Sequence, residues 1–273
     1  MKFINNLLLL IFFTLTNCTN VAQPDDPIPS HETFTIQSKH LEEQRTINVW
    51  TPADYKSNLD SLPVMYMADG GIKEDFPHIA NTLDSLISLH KIKPLILVGI
   101  ENTERRRDLT GFTEVEKDKE IAPVVGGSEK FREFIHNELF PEVNKRYRTK
   151  NERSIIGESA SGLFVMETFF LTPDMFDYYI AFDPSLWWNN HYLVRTAKEY
   201  LTHLPNTHQK RIWFACSNTE EISPYTKEIA NIFKTANLPN LTWNFSDEPN
   251  EKHSTIFRAT KEKALVWTLS KAD

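Results

Sequence analysis

A chain of 273 residues that is 40% hydrophobic and 25% charged has ordinary globular composition, which excludes disordered, collagen-like and multi-span membrane proteins. Lysine plus arginine is 30 and aspartate plus glutamate is 37, so the net charge of -7 leaves no cationic surplus for gripping phosphate backbones, and nucleic acid is not an expected partner. Two cysteines, Cys18 and Cys216, cannot build a disulfide framework, and no C-x-x-C or H-E-x-x-H pair offers metal ligands, so neither a metal nor a cofactor is expected.

Lys2 is followed by the apolar run Leu7 to Phe13, which has the form of a secretory signal and is too short to span a bilayer. Residues 1–17 are therefore set apart from the fold. The run ends in Leu15-Thr16-Asn17-Cys18, which resembles a bacterial lipobox and marks Cys18 for lipidation and membrane anchoring, although Asn17 stands where a small residue is usual. Plain secretion with cleavage nearby is the alternative. Either route exports the protein to the periplasm or cell envelope. Pro24, Pro27 and Pro29 make residues 18–31 an extended tether, and residues 32–273 are expected to fold as one domain. Cys216 is then the remaining thiol, read as a buried small hydrophobe.

Along the mature chain, Thr33 to Ser38 and Arg45 to Trp50 read as an antiparallel hairpin. Apolar strand-like runs then alternate with helical stretches: Val64 to Ala68, Leu95 to Ile100, Ser154 to Ile156, Tyr178 to Phe182, Ile212 to Cys216 and Leu241 to Phe245. The helix from His78 through His90 carries Ile79, Leu83, Leu86 and Ile87 on one face. Phe131, Phe134, Ile135, Leu139 and Val143 line a second amphipathic stretch. Thr103 to Ser128 is polar and reads as a long loop. Strands bridged by helices predict an α/β fold with a mostly parallel central sheet, the N-terminal antiparallel hairpin at its edge, and helices on both faces. Ligands of such sheets bind at the carboxyl ends of the strands.

Ile155-Ile156-Gly157-Glu158-Ser159-Ala160-Ser161-Gly162 sets a serine between small residues where a strand turns into a helix. A nucleophilic serine on so sharp a turn needs small neighbours, because strand and helix approach closely there. The pattern departs from G-x-S-x-G at Ser161, and serine also caps helices without any chemistry. Chain order adds weight to the nucleophile. An acid and then a histidine should follow on loops after later strands, and Glu220 and His253 occupy such loops. His253 would take the Ser159 proton and Glu220 would orient the ring, with Glu221 and Asp183 as rival acids. The amide of Ala160 and that of Gly71, in the loop Asp69-Gly70-Gly71, would form the oxyanion hole. Arg105, Arg107, Trp187 and Trp188 follow strands at the same edge and are candidates for substrate binding; a solvated or packed role is the alternative for each.

Tyr66-Met67-Ala68-Asp69-Gly70, Val98 to Thr103 with Arg105 to Thr110, Phe134 to Arg148, Gly157 to Phe164 and Pro184-Ser185-Leu186-Trp187-Trp188 together resemble the putative esterase family of α/β-hydrolases. That family includes siderophore, feruloyl and acetylxylan esterases, S-formylglutathione hydrolases and mycolyltransferases, and the resemblance is strongest to its siderophore-esterase branch. It implies Ser159 as nucleophile, Glu220 as acid, His253 as base, and Ala160 and Gly71 as oxyanion donors. Mycolyltransferases also carry serine at the place of Ser161, while Ser254 stands where many members have glycine. The expected function is an exported serine ester hydrolase acting through an acyl-enzyme on a siderophore ester or a carbohydrate-linked (feruloyl or acetyl) ester. The alternatives are an acyltransferase of the same fold and a catalytically silent hydrolase-fold binding module.

Overall fold

The computed structural model describes residues 26–204 and 209–270; the expected signal over 1–17, Cys18 and most of the tether lie outside them. Eight strands form a single sheet: β1 (Glu32–Gln37), β2 (Gln44–Trp50), β3 (Leu62–Met67), β4 (Ile96–Ile100), β5 (Thr149–Glu158), β6 (Tyr178–Phe182), β7 (Lys210–Cys216) and β8 (Leu241–Asp247), in the order β1-β2-β4-β3-β5-β6-β7-β8. The β1–β2 hairpin and the β2–β4 pair are antiparallel, and every other pairing is parallel. The architecture is therefore the expected α/β-hydrolase sheet.

Helices α1 (Phe76–Ser88), α2 (Arg105–Leu109), α3 (Glu116–Ile121), α4 (Ser128–Phe134), α5 (Phe140–Arg146), α6 (Ala160–Leu171), α7 (Trp188–Thr202), α8 (Ser223–Ala236) and α9 (Ile256–Leu269) cover the sheet. A π-helical stretch, Ile135–Leu139, joins α4 to α5. The region from Thr103 to Ser128, expected as a loop, contains α2 and α3; both are of only five or six residues, too short to show a helical period. Among the described residues, no helix is long and apolar enough to cross a membrane.

Alternation along the strands divides the core into two layers. Val64 and Tyr66 of β3 and Ile212 and Phe214 of β7 point into the larger cluster, with α6 and α8. Met65, Met67, Trp213 and Ala215 point the other way, against Phe76, Ile79 and Leu83 of α1 and Phe257 and Leu265 of α9. Phe214 alone meets the rings of Phe233, Trp243 and Phe245. Burying one such side chain contributes about 1.5–3 kcal/mol, so the two layers give the strand ends a rigid frame.

At one end of that frame the chain leaves β3, β5 and β6 through residues in the left-handed region: Asp69 (φ 56°), Ser159 (φ 60°) and Asp183 (φ 43°). For residues with a Cβ such conformations cost about 1–3 kcal/mol each and persist only where the surroundings over-determine them. All three lie at carboxyl ends of parallel strands.

Candidate active site

Ser159 links β5 to α6 with φ 60° and ψ −117°, so the chain reverses within one residue. Such a reversal needs Gly157, because a Cβ there would come within 2.6 Å of the Ser161 backbone. The turn is fixed to its neighbour strand by the Ser159 amide, which donates to the Phe182 carbonyl at 3.0 Å.

The Ser159 hydroxyl lies 3.0 Å from His253 Nε2, and His253 Nδ1 lies 2.8 Å from Asp183 Oδ2. A carboxylate only accepts, so Nδ1 carries the proton and Nε2 is left to accept from the serine. Asp183 is fully buried; it also accepts from the Ser217 amide at 2.7 Å and from the Ser217 hydroxyl at 2.6 Å. The hydrogen bond to Asp183 raises the pKa of His253 above its ordinary value, against the opposing effect of desolvation.

The carboxylate on the ring is thus Asp183, and the expectation of Glu220 is corrected. Glu220 is exposed in the turn that leads to α8, as is its neighbour Glu221. The assumption that the acid follows β7 led to Glu220. Here the acid leaves β6, one strand closer to the nucleophile, and β7 contributes Ser217, which holds it. The signal available in the sequence was a carboxylate directly after the apolar run Tyr178 to Phe182.

Ala160 is the first residue of α6, so its amide has no acceptor inside the helix. The Gly71 amide donates to Glu74 Oε2 at 2.7 Å, and Asn102 Nδ2 donates to Glu74 Oε1 at 2.9 Å. An ester oxygen reaching Gly71 must therefore displace a carboxylate. Burial raises the Glu74 pKa, against the stabilising bond from Gly71.

Ser159 and His253 open onto a cleft of about 950 Å³, whose walls include Ile28, Ile72, Pro77, Arg105, Glu158 and Phe257. Arg105 reaches this cleft with its charge already committed: Nη2 donates to Asp69 Oδ2 at 2.8 Å, and Nε bonds the other oxygen. Burial pushes the Asp69 carboxyl up, and the Arg105 contacts outweigh it and leave Asp69 below its ordinary pKa. Arg107 does not face the cleft. It donates to Asp108 at 2.7 Å and to Glu43 at 2.7 Å, while the buried Arg45 bonds the other Asp108 oxygen. Trp188 is buried and donates from Nε1 to the Gly111 carbonyl at 3.0 Å; Trp187 packs against the same core, and neither lines the cleft. Those two candidates for substrate binding are packing residues, because the chain after β6 turns inward to form α7. Cys216 is buried, and its thiol pKa is pushed up to about 11 by desolvation. No cluster of metal-ligating side chains occurs among the described residues.

Glu158, beside Ser159, is a carboxylate that no sequence pattern singles out. Burial pushes its pKa up to about 7, against the pull of His253.

A serine on a strained turn, a histidine and a buried aspartate thus form one hydrogen-bonded line above the carboxyl edge of the parallel sheet of an α/β-hydrolase fold. The sequence profile described as "Putative esterase" matches residues 38–269, and the chain belongs to that family of carboxylic-ester hydrolases. It is 24% identical over 276 residues to the ferri-bacillibactin esterase BesA of Bacillus subtilis, an alignment spanning 89% of this chain and 90% of that protein. It is 29% identical over 190 residues to the siderophore triacetylfusarinine C esterase of Aspergillus fumigatus, covering 64% of this chain and 62% of that one. An IroE-like serine hydrolase from Shewanella oneidensis shares the fold with a TM-score of 0.81 at 24% identity, over 89% of this chain and 82% of that one.

The carboxylate on the ring and the one expected there from the sequence yield distinct predictions. Asp183→Asn should lower kcat about 10²- to 10⁴-fold, because the ring loses the tautomer that accepts from serine, whereas Glu220→Gln should stay within about twofold. Steady-state rates on a neutral ester decide between them. In the wild type, kcat/KM should fall on the acid side with an apparent pKa above 6.5, since the raised imidazole must lose its proton to act as base. Glu158→Gln removes a negative neighbour that favours the imidazolium, so the acid limb should move to lower pH; a limb that stays in place would show that the two groups do not interact.

Proposed function

We propose that this chain is an exported serine ester hydrolase that cleaves a siderophore ester through an acyl-enzyme. The observation that carries the reading is the continuous line from Ser159 Oγ to His253 Nε2 at 3.0 Å and from His253 Nδ1 to Asp183 at 2.8 Å. In the proposed reaction Ser159 Oγ bonds to the ester carbonyl carbon while its proton passes to Nε2. The carbonyl oxygen becomes an oxyanion within reach of the Ala160 and Gly71 amides. As the tetrahedral species collapses, the bond to the alcohol breaks and the leaving oxygen takes the proton from Nε2. Water then repeats the sequence on the acyl-enzyme, giving its proton to His253, and Ser159 regains its own as the acid departs.

The siderophore class is supported by what BesA and the Aspergillus fumigatus relative are named for, and by a cleft large enough for a bulky ester. The soluble domain should label with a fluorophosphonate and hydrolyse short p-nitrophenyl esters, and Ser159→Ala should abolish both. Labelling that survives in that variant would reassign the nucleophile. In a panel of ferric siderophore esters, feruloylated xylan and acetylated xylan, the siderophore esters should show the highest kcat/KM; preference for a xylan ester would move the substrate to the carbohydrate-linked class.

Export rests on Lys2 and the apolar run Leu7 to Phe13, and lipidation on Leu15 to Cys18. Cells expressing the full chain with labelled palmitate should give a labelled protein, and Cys18→Ser should lose the label. Equal labelling of both would refute lipidation at that position.

A further inference from the structure

An oxyanion hole built from two amides on separate segments works only if something fixes the distance between those segments. Here Gly71 follows β3 and Ala160 follows β5. The β3–β5 ladder pairs Met67 with Ile156 as its last partners, and both donors lie beyond that point. Past the ladder the two chains are joined by a side-chain bond: Ser161 Oγ donates to Asp69 Oδ2 at 2.8 Å, across 92 positions of sequence. Asp69 is two residues from Gly71, and Ser161 is one residue from Ala160.

Both ends of this tie are held. Ser161 is buried, and its oxygen accepts from the Glu158 amide at 2.8 Å, which locks it to the nucleophile turn; the Glu158 carbonyl lies at the same distance, but the one hydroxyl proton favours the charged acceptor. Asp69, in the left-handed region, is clamped by two bonds from Arg105 and one from Asn102 at 2.6 Å. Asn102 also bonds Glu74, so the same clamp reaches the carboxylate on the Gly71 amide. Opposite the clamp, Asn48 Nδ2 donates to the Gly70 carbonyl at 2.9 Å.

We propose that Ser161 is a positioning residue that sets the oxyanion hole by tying the Ala160 turn to the Gly71 loop through Asp69. This assignment rests on the hydrolase reading above. It gives a physical reason for serine where the common pattern has glycine: the hydroxyl does the joining that glycine cannot. It also explains why Arg105 points at the cleft without being free to bind substrate.

Ser161→Ala and Ser161→Gly remove the hydroxyl and add no bulk, and Asp69 keeps its contacts to Arg105 and Asn102, so both variants should fold. The hole must match a charge that develops only in the transition state, and displacement by about 1 Å costs on the order of a hundredfold. Both variants should therefore lower kcat on a p-nitrophenyl ester about tenfold to a hundredfold, with KM within about threefold of the wild type. The Ki of an alkylboronic acid, whose adduct with Ser159 presents a charged oxygen to the hole, should rise by the same factor as kcat falls. Circular-dichroism melts confirm folding. If kcat and the boronic acid Ki stay within about twofold of wild type in folded variants, the hydroxyl only packs and the inference is wrong. An increase in KM alone overturns it as well. Neither outcome touches the hydrolase reading, which fails if the wild type neither labels with the fluorophosphonate nor cleaves the ester.

Discussion

The site depends on one contact between a partly exposed ring and a fully buried carboxylate, His253 Nδ1 to Asp183 Oδ2. A carboxylate without exposed surface would be costly if it were unpaired, and Asp183 avoids that cost by accepting from the Ser217 amide, the Ser217 hydroxyl and the imidazole together. Two of those donors come from the end of β7, which the sheet already fixes beside β6. The third is the histidine, on the loop between β8 and α9. Burial of Asp183 therefore does more than tune His253: it orients a side chain from a mobile type of element by giving the carboxylate a remaining lone pair that only the ring satisfies.

Backbone strain follows the same geometry. Asp69, Ser159 and Asp183 each leave a parallel strand in the left-handed region, and each is held there by contacts from another segment. Ser159 is held by the Phe182 carbonyl, Asp183 by Ser217 and by its own amide on the Ala215 carbonyl, and Asp69 by Arg105, Asn102 and Ser161. Neighbouring strand ends thus stabilise one another's unfavourable turns. The tight turns project side chains above the sheet edge, which a helix or an extended exit could not do.

The sequence carried the fold well because strand burial writes itself as apolar runs: Tyr178 to Phe182 matches β6 residue for residue, and Leu241 marks the start of β8. Gly157 and chain order single out Ser159 and His253, whose side chains the fold brings to 3.0 Å. The sequence did not carry the choice among Glu220, Glu221 and Asp183, since nothing in local composition states which carboxylate is buried. The same limit applies to the arginines. Arg105 and Arg107 are two residues apart and look alike in sequence, yet their partners Asp69 and Glu43 lie 36 and 64 positions away, and of these ion pairs only that of Arg107 with the adjacent Asp108 is local. Trp188 was ambiguous for a related reason: an aromatic at a strand end serves a cleft or a core according to where the next helix turns.

The Glu74 contact bears on the oxyanion hole of the proposed reaction. A carboxyl oxygen 2.7 Å from the Gly71 amide marks where that N–H points. The contact belongs to a tight local turn before α1, in which the Glu74 amide also donates to the Gly71 carbonyl at 3.0 Å, so the chain's own turn supplies the occupant. A neutral ester carbonyl is a weaker acceptor than a carboxylate and competes poorly for that donor, whereas the charged oxygen of the tetrahedral species competes on equal terms. In the proposed reaction the donor would thus be engaged most strongly once charge has developed on the substrate, which is the condition under which binding accelerates a reaction rather than merely holding its reactant.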